Sequence, residues 1–182
     1  MFNRVDERQH YDAVYSQFRI ERSVCPVSCH VLGKASRTVE GVMRTFGIPS
    51  LKGARVLDVG CGLGYFAEAL REKGGEVTAV DTSPVAIEIV NELFPKIDAR
   101  TVSFPEDFTG YNQFDVIWSC DFPLLNTFDV DFICQEFIQK CMNIMTPRGA
   151  LIVGWHSNFG GPGYSNCPCF FKLVTCCSPE RL

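Results

Sequence analysis

Three glycines at alternate positions, Gly60, Gly62 and Gly64, lie between the apolar run Val56-Leu57-Asp58-Val59 and the segment that opens with Tyr65-Phe66. Strand, glycine loop and helix in that order have chemical content. Glycine permits backbone angles that a Cβ would oppose and lets a ligand come close to main chain. The start of the following helix leaves N–H donors that the helix itself does not use. Asp81 follows at the tip of a second apolar segment, Val77-Thr78-Ala79-Val80. A carboxylate there can accept both hydroxyls of a nucleoside ribose. Asp58 adds a second acid inside the strand ahead of the loop. His156 follows another apolar run and has a side chain suited to proton transfer near neutral pH; Asp121 is the second candidate for a general base.

Two nucleoside cofactors fit a glycine loop with a distal acid. A dinucleotide fingerprint, G-x-G-x-x-G, would need glycine where Tyr65 stands, and a carboxylate such as Asp58 is poorly placed ahead of a pyrophosphate. An NAD-type oxidoreductase is therefore the less favoured alternative. An acid at Asp58 suits a cofactor that carries an ammonium group and a positive sulfur, and S-adenosylmethionine has both.

These residues need a scaffold, and the chain supplies one. Residues 8–22 place Tyr11, Val14, Tyr15 and Phe18 on one helical face, and a second helix over 30–46 ends at Gly47 with Pro49 beyond it. From residue 54 short apolar runs alternate with helical segments: a strand over 54–59, a helix over 65–73 closed by Gly74-Gly75, a strand over 77–80, a helix from Ser83-Pro84 to Phe94, and a weaker strand over 99–104. A strand over 114–118 follows, then a helix capped by Asp129 with the stripe Val130, Ile133, Phe137, Cys141 and Ile144. Pro147-Arg148-Gly149 turns it into a strand over 150–155. Crossovers of about thirty residues are those of parallel strands joined by helices. The expected fold is α/β, a Rossmann-like, doubly wound, mainly parallel sheet with helices on both faces and ligands at the carboxyl ends of its strands.

Composition agrees. The 182 residues are 46% hydrophobic and 21% charged, enough apolar material for one domain. No apolar run reaches the roughly 18 residues of a membrane span, and Met1 to Arg8 is charged without an apolar segment behind it, so a cytoplasmic, soluble protein is expected. The net charge of −4 gives no general attraction to nucleic acid or an anionic membrane. Residues 1–55 hold nine Lys/Arg against five Asp/Glu, which reads as a solvated helical face. Ten cysteines in a reducing compartment are expected as thiols. Neither Cys25-x-x-x-Cys29-His30 nor the group Cys167, Cys169, Cys176 and Cys177 has standard zinc spacing, so no metal is expected.

Four segments occur in order over residues 54–156: Asp58-x-Gly60-x-Gly62-x-Gly64, Asp81-x-Ser83-Pro84-x-Ala86-Ile87, Phe114-Asp115-Val116-Ile117-Trp118-Ser119 and Thr146-Pro147-Arg148-Gly149-Ala150-Leu151-Ile152-Val153. This series resembles the class I S-adenosylmethionine-dependent methyltransferases. The resemblance implies that the backbone from Gly60 through Cys61 and Gly62 to Gly64 packs on the cofactor's methionine part and ribose. It implies that Asp58 orients the loop or the amino group, that Asp81 takes the ribose hydroxyls and that Thr82 lines the adenine site. Ser119 and Cys120 would lie near the methyl group, and His156 close to it as general base. The family often has an adenine-reading acid just after the third strand; the nearest position here is Phe104, with Glu106 and Asp107 slightly later, and Phe104 would stack on the base instead.

The expected organisation is a helical cap over 1–53 and a cofactor-binding domain over 54–182, together one structural unit with no linker between them. Tyr11, Tyr15 and Phe18 would form a lid over the sulfonium, and a small-molecule methyl acceptor is expected because no macromolecule-binding module stands out. The resemblance also implies a helix and an antiparallel hairpin after the fifth strand. Only 27 residues follow Trp155, so the C-terminal strands are expected to be shortened or missing, with Phe170 to Thr175 supplying one strand. An exposed edge favours a homodimer. The alternative is a cofactor-binding but inactive fragment or regulatory partner.

Overall fold

The computed structural model describes residues 4–21, 32–109, 113–122, 133–156 and 169–175. Helices α1 (Arg4–Glu21) and α2 (Leu32–Thr45) precede β1 (Arg55–Val59), α3 (Tyr65–Glu72), β2 (Glu76–Asp81), α4 (Pro84–Leu93), β3 (Asp98–Thr101) and β4 (Phe114–Cys120). A π-wound turn, Ile133–Ile138, runs into α5 (Gln139–Ile144), followed by β5 (Met145–His156) and β6 (Cys169–Thr175). The six strands lie in the order β3-β2-β1-β4-β5-β6. The first five are parallel, and β6 pairs antiparallel to β5 from Ala150↔Thr175 to His156↔Cys169.

Both faces of the sheet are covered, so its central strands are apolar on both sides. Val56, Ala79, Val116, Trp118 and Ile152 join a core built with α2, α3 and α4, in which Phe66 tilts onto Trp118 at 5.4 Å between ring centroids. Leu57, Val59, Val80, Ile117 and Leu151 face the other way, onto Phe137, Cys141 and Ile144. These three belong to the stripe read from the sequence; the Ile133 side chain lies outside the described residues. The stripe's helix is wound in π form at its start, and Asp129 and Val130 lie outside the described residues.

Helix ends follow local chemistry. Ser83 caps α4 by accepting the Ala86 N–H at 3.1 Å, with Pro84 in the first turn. At the end of α3, Gly74 (φ 98°) donates to the Arg71 carbonyl and Gly75 to that of Leu70, a Schellman closure.

Two expectations change. The third strand ends at Thr101, so Phe104 is not at its tip. The turn at Pro147-Arg148-Gly149 does not start the fifth strand but interrupts it: Phe114 pairs with Met145, Val116 already with Ala150, and the intervening residues bulge out. Asp115 pins that bulge by accepting the Thr146 hydroxyl at 3.2 Å while also accepting the Arg55 N–H at 2.9 Å. Ala35, Val39, Val42 and Met43 of α2 belong to the main core. Among the described residues one strand, β6, follows β5.

Candidate active site

The glycine loop hangs from the end of β2. The N–H groups of Gly60 and Cys61 both donate to the Val80 carbonyl, at 2.9 and 3.0 Å, and Gly64 donates to Cys61 at 2.9 Å before α3 begins. All three glycines take left-handed angles, φ 72°, 53° and 76°, which a side chain would oppose at about 1–2 kcal/mol each. Packing adds a second demand at two of them. A Cβ on Gly64 would sit 2.9 Å from Val90 Cγ2 of α4, and one on Gly60 would sit 2.8 Å from the Phe122 ring.

Asp58 lies level with Ala79 and Trp118 in the middle of the sheet and is 2% exposed. Gly64 at the head of α3 offers no side-chain cap; Asp58, from inside the sheet, accepts the Ala67 N–H of that first turn instead. Its Oδ2 is buried without a hydrogen-bond partner. Burial, then the nearby Asp81 charge, push its pKa up to about 8 against the Ala67 bond. A buried carboxyl oxygen left open in this way is costly, and a cationic or N–H-bearing ligand beside it would favour its ionised form.

Asp81 is 8% exposed and clamped from both sides: Oδ2 accepts the Gly62 N–H and Oδ1 the Ser83 N–H, each at 2.9 Å. A carboxylate has about four lone-pair positions, so acceptor capacity remains beside these bonds for a ligand hydroxyl. Burial raises its pKa to about 6; the Ser83, Gly62 and Thr82 N–H groups oppose that rise and the Asp12 charge adds to it. Thr82 is tied by its hydroxyl to that of Ser103 at 3.2 Å, which joins the loops after β2 and β3.

At the end of β4, Ser119 is fully buried and donates its hydroxyl to the Val59 carbonyl at 3.3 Å, stitching β4 to β1. Burial raises the thiol pKa of Cys61, with the charges of Asp81 and Asp58 adding to it, which keeps that sulfur protonated. Asp121 extends the β4–β5 ladder by donating its N–H to Gly154 at 2.8 Å, then turns left-handed at φ 56° and throws Phe122 over Gly60. Phe122 also leans on Phe137 at 5.4 Å. His156 ends β5, two residues beyond the Gly154 that faces Cys120; its side chain lies outside the described residues.

Asp58, Cys61, Asp81 and the three glycines thus come together at the carboxyl ends of β1 and β2, with Thr82 following β2 and Ser119 at the end of β4. Phe104 does not join them: it is 4% exposed and packs on Phe108 and Phe137 in the core, which corrects the expectation of stacking on adenine. Asp12 and Phe122 also reach the loop. Asp12 is 71 residues away from Ser83, whose hydroxyl it accepts, and no local pattern signals such a pair. The zinc candidates Cys25, Cys29, His30, Cys167, Cys176 and Cys177 lie outside the described residues, as does the Cys169 side chain. A cavity of about 650 Å³ opens at the opposite end of the sheet, where Arg55, Glu76, Asp98 and Phe114 begin their strands. Its arginines are already paired, Arg55 with Asp115, Arg71 with Glu68 and Arg100 with Asp98.

A family model described as a methyltransferase domain matches residues 56–149, just over half of the chain. The chain belongs to that family, and its fold and glycine loop are those of a class I S-adenosylmethionine-dependent methyltransferase domain. It is 58% identical over 110 residues to the ubiquinone biosynthesis O-methyltransferase of Xylella fastidiosa (strain M23), which covers 57% of this chain and 42% of that protein. The protein of the same description in Xanthomonas campestris pv. campestris (strain B100) is 34% identical over 110 residues, with coverage of 57% and 44%. The chain spans less than half the length of these curated relatives. Among solved structures, a TehB-like SAM-dependent methyltransferase from Corynebacterium glutamicum superposes with a TM-score of 0.58 at 17% identity, over 82% of this chain and 74% of that one. Phosphoethanolamine N-methyltransferase 1 from Haemonchus contortus, in complex with phosphoethanolamine and S-adenosylhomocysteine, gives 0.64 at 16% identity over 87% and 34%. At that identity the likeness establishes the fold.

Proposed function

We propose that the chain binds S-adenosylmethionine along the glycine loop and that the enzyme it belongs to transfers the methyl group to the hydroxyl of a small-molecule acceptor. The observation that carries the cofactor reading is the pair of buried acids: Asp81, oriented by Gly62 and Ser83 with acceptor capacity left for the ribose, beside Asp58 with an unpartnered oxygen. The donor set fits the cofactor. Asp81 takes the ribose, Asp58 takes the ammonium side directly or through the loop it braces, and the Gly60–Gly64 backbone allows the close approach that side chains would block. Thr82 lines the base, and Ser119 holds the ends of β1 and β4 level. Bound there, the cofactor supplies a methyl group already activated by its sulfonium.

What remains for the protein is orientation, exclusion of water and one proton. Helix α1 contributes to the second: Tyr15 is buried with Leu63 of the loop and with Ala86 and Ile89 of α4, and Tyr11 and Phe18 flank it. A hydroxyl acceptor must lose a proton, and His156, at the carboxyl edge of β5, is the residue proposed to take it. The name O-methyltransferase carried by the curated relatives supports oxygen as the acceptor atom. Methyl-labelled S-adenosylmethionine incubated with small hydroxyl, amine and thiol acceptors tests this. Label in an ether product, lost in His156→Ala, is expected; label in an amine or thiol product alone would overturn the choice of acceptor.

A further inference from the structure

Helix α1 does more than cover the loop. Its Asp12 accepts the hydroxyl proton of Ser83, whose N–H is donated to Asp81, which in turn accepts the Gly62 N–H. The Ser83 oxygen also accepts the Ala86 N–H at 3.1 Å. With its proton and a lone pair both committed, the hydroxyl is fixed in one orientation, and the backbone N–H that clamps Asp81 is fixed with it. Asp12 is itself delivered rigidly. Tyr15, three residues on, is 4% exposed, and Arg19 forms ion pairs with Glu88 and Glu92 of α4. Arg8 stands 3.9 Å from the other Asp12 oxygen.

We infer that Asp12 is a positioning residue for the nucleoside: through Ser83 it holds the Asp81 carboxylate in the orientation whose free lone pairs meet the ribose hydroxyls. The inference rests on the reading of Asp81 proposed above. It makes α1 part of the cofactor site and gives a residue outside the glycine motif a share in cofactor affinity.

Calorimetric titration of the full chain with S-adenosylhomocysteine at pH 8 tests it, using Asp12→Ala, Asp12→Asn, Ser83→Ala and the double variant Asp12→Ala/Ser83→Ala. Each alanine single is expected to bind about tenfold more weakly, the loss of roughly one charge-assisted hydrogen bond. The double is expected to bind no more weakly than Ser83→Ala, because Asp12 acts through that residue. Asp12→Asn keeps an oxygen acceptor and is expected to restore affinity to within about twofold. Should Ser83→Ala not fold, Ser83→Gly replaces it, since glycine is tolerated at a helix N-cap. Unchanged affinity in Asp12→Ala, additive losses in the double, or no rescue by asparagine would overturn the relay. Wild-type affinity in Asp81→Ala, or no binding by the wild type, would overturn the reading of Asp81 and the relay with it.

Discussion

Gly60 and Phe122 meet where a β-carbon is missing: one built on the glycine would lie 2.8 Å from Cδ2 of the ring. The left-handed turn at Asp121 aims the ring there, so the tail of β4 and the head of the glycine loop fix each other's position. Gly60→Ala therefore carries two penalties, a left-handed alanine of about 1–2 kcal/mol and a displaced ring. Chemical denaturation of Gly60→Ala, Phe122→Ala and the double variant separates them. The double is expected to be more stable than the sum of the single losses allows, by about 1 kcal/mol or more. Strict additivity would show that the ring and the loop are not coupled.

Asp58 predicts a conflict between stability and binding. Its pKa is about 8 in the folded chain against an ordinary 3.8, so the folded state holds a proton that the unfolded state has released. The stability it contributes is complete below about pH 4 and is lost as pH rises toward 8. Asp58→Asn cannot ionise and can still accept the Ala67 N–H. It is expected to be more stable than the wild type at pH 8, the difference shrinking as pH falls to 4, while binding the cofactor more weakly. Denaturation curves at pH 4, 6 and 8 measure the first effect. A variant no more stable than the wild type at pH 8 would contradict it.

Asp81, with a pKa of about 6, should impose an acid limb on cofactor affinity. Hydroxyl donors prefer the ionised carboxylate, so affinity for S-adenosylhomocysteine is expected to rise from pH 5 to pH 7 with a midpoint near 6 and to fall about tenfold per unit well below it. Asp81→Asn is expected to lose affinity by about a hundredfold and to flatten that limb. The same limb in the asparagine variant would assign the proton to another group.

These features differ in how far the sequence reveals them. The loop, Asp58 and Asp81 are legible because local geometry dictates them: glycine tolerates the three left-handed angles, and the acids stand at fixed distances within one βαβ unit. Ser83 and Pro84 announce the start of α4 for the same reason. Phe104 is not legible in this way: its neighbours after β3 give no periodic signal, and burial against Phe108 and Phe137 decides its position. The bulge at Thr146 to Gly149 looks like a turn in sequence; the pairing of Phe114 with Met145 ahead of it makes it an interruption within β5. Asp12 and Phe122 reach the loop through tertiary packing alone.

The docking of α1 can be measured without any ligand. Tyr15 is 4% exposed against Leu63, Ala86 and Ile89, whereas the Arg19 ion pairs are exposed and worth little. Tyr15→Ala is expected to raise amide hydrogen exchange throughout α1 by about a hundredfold or more while leaving β1 and β4 protected. Arg19→Ala should change α1 exchange only a few-fold. Equal effects from the two substitutions would contradict docking by the apolar face.

The most direct measurement is calorimetric titration of the purified chain with S-adenosylmethionine, S-adenosylhomocysteine and NAD in parallel. The buried acids and the glycine loop predict saturable binding of the first two, lost in Asp81→Ala, and none of NAD. A folded sample that binds neither sulfur nucleoside, or that binds NAD instead, would contradict the cofactor assignment at its root.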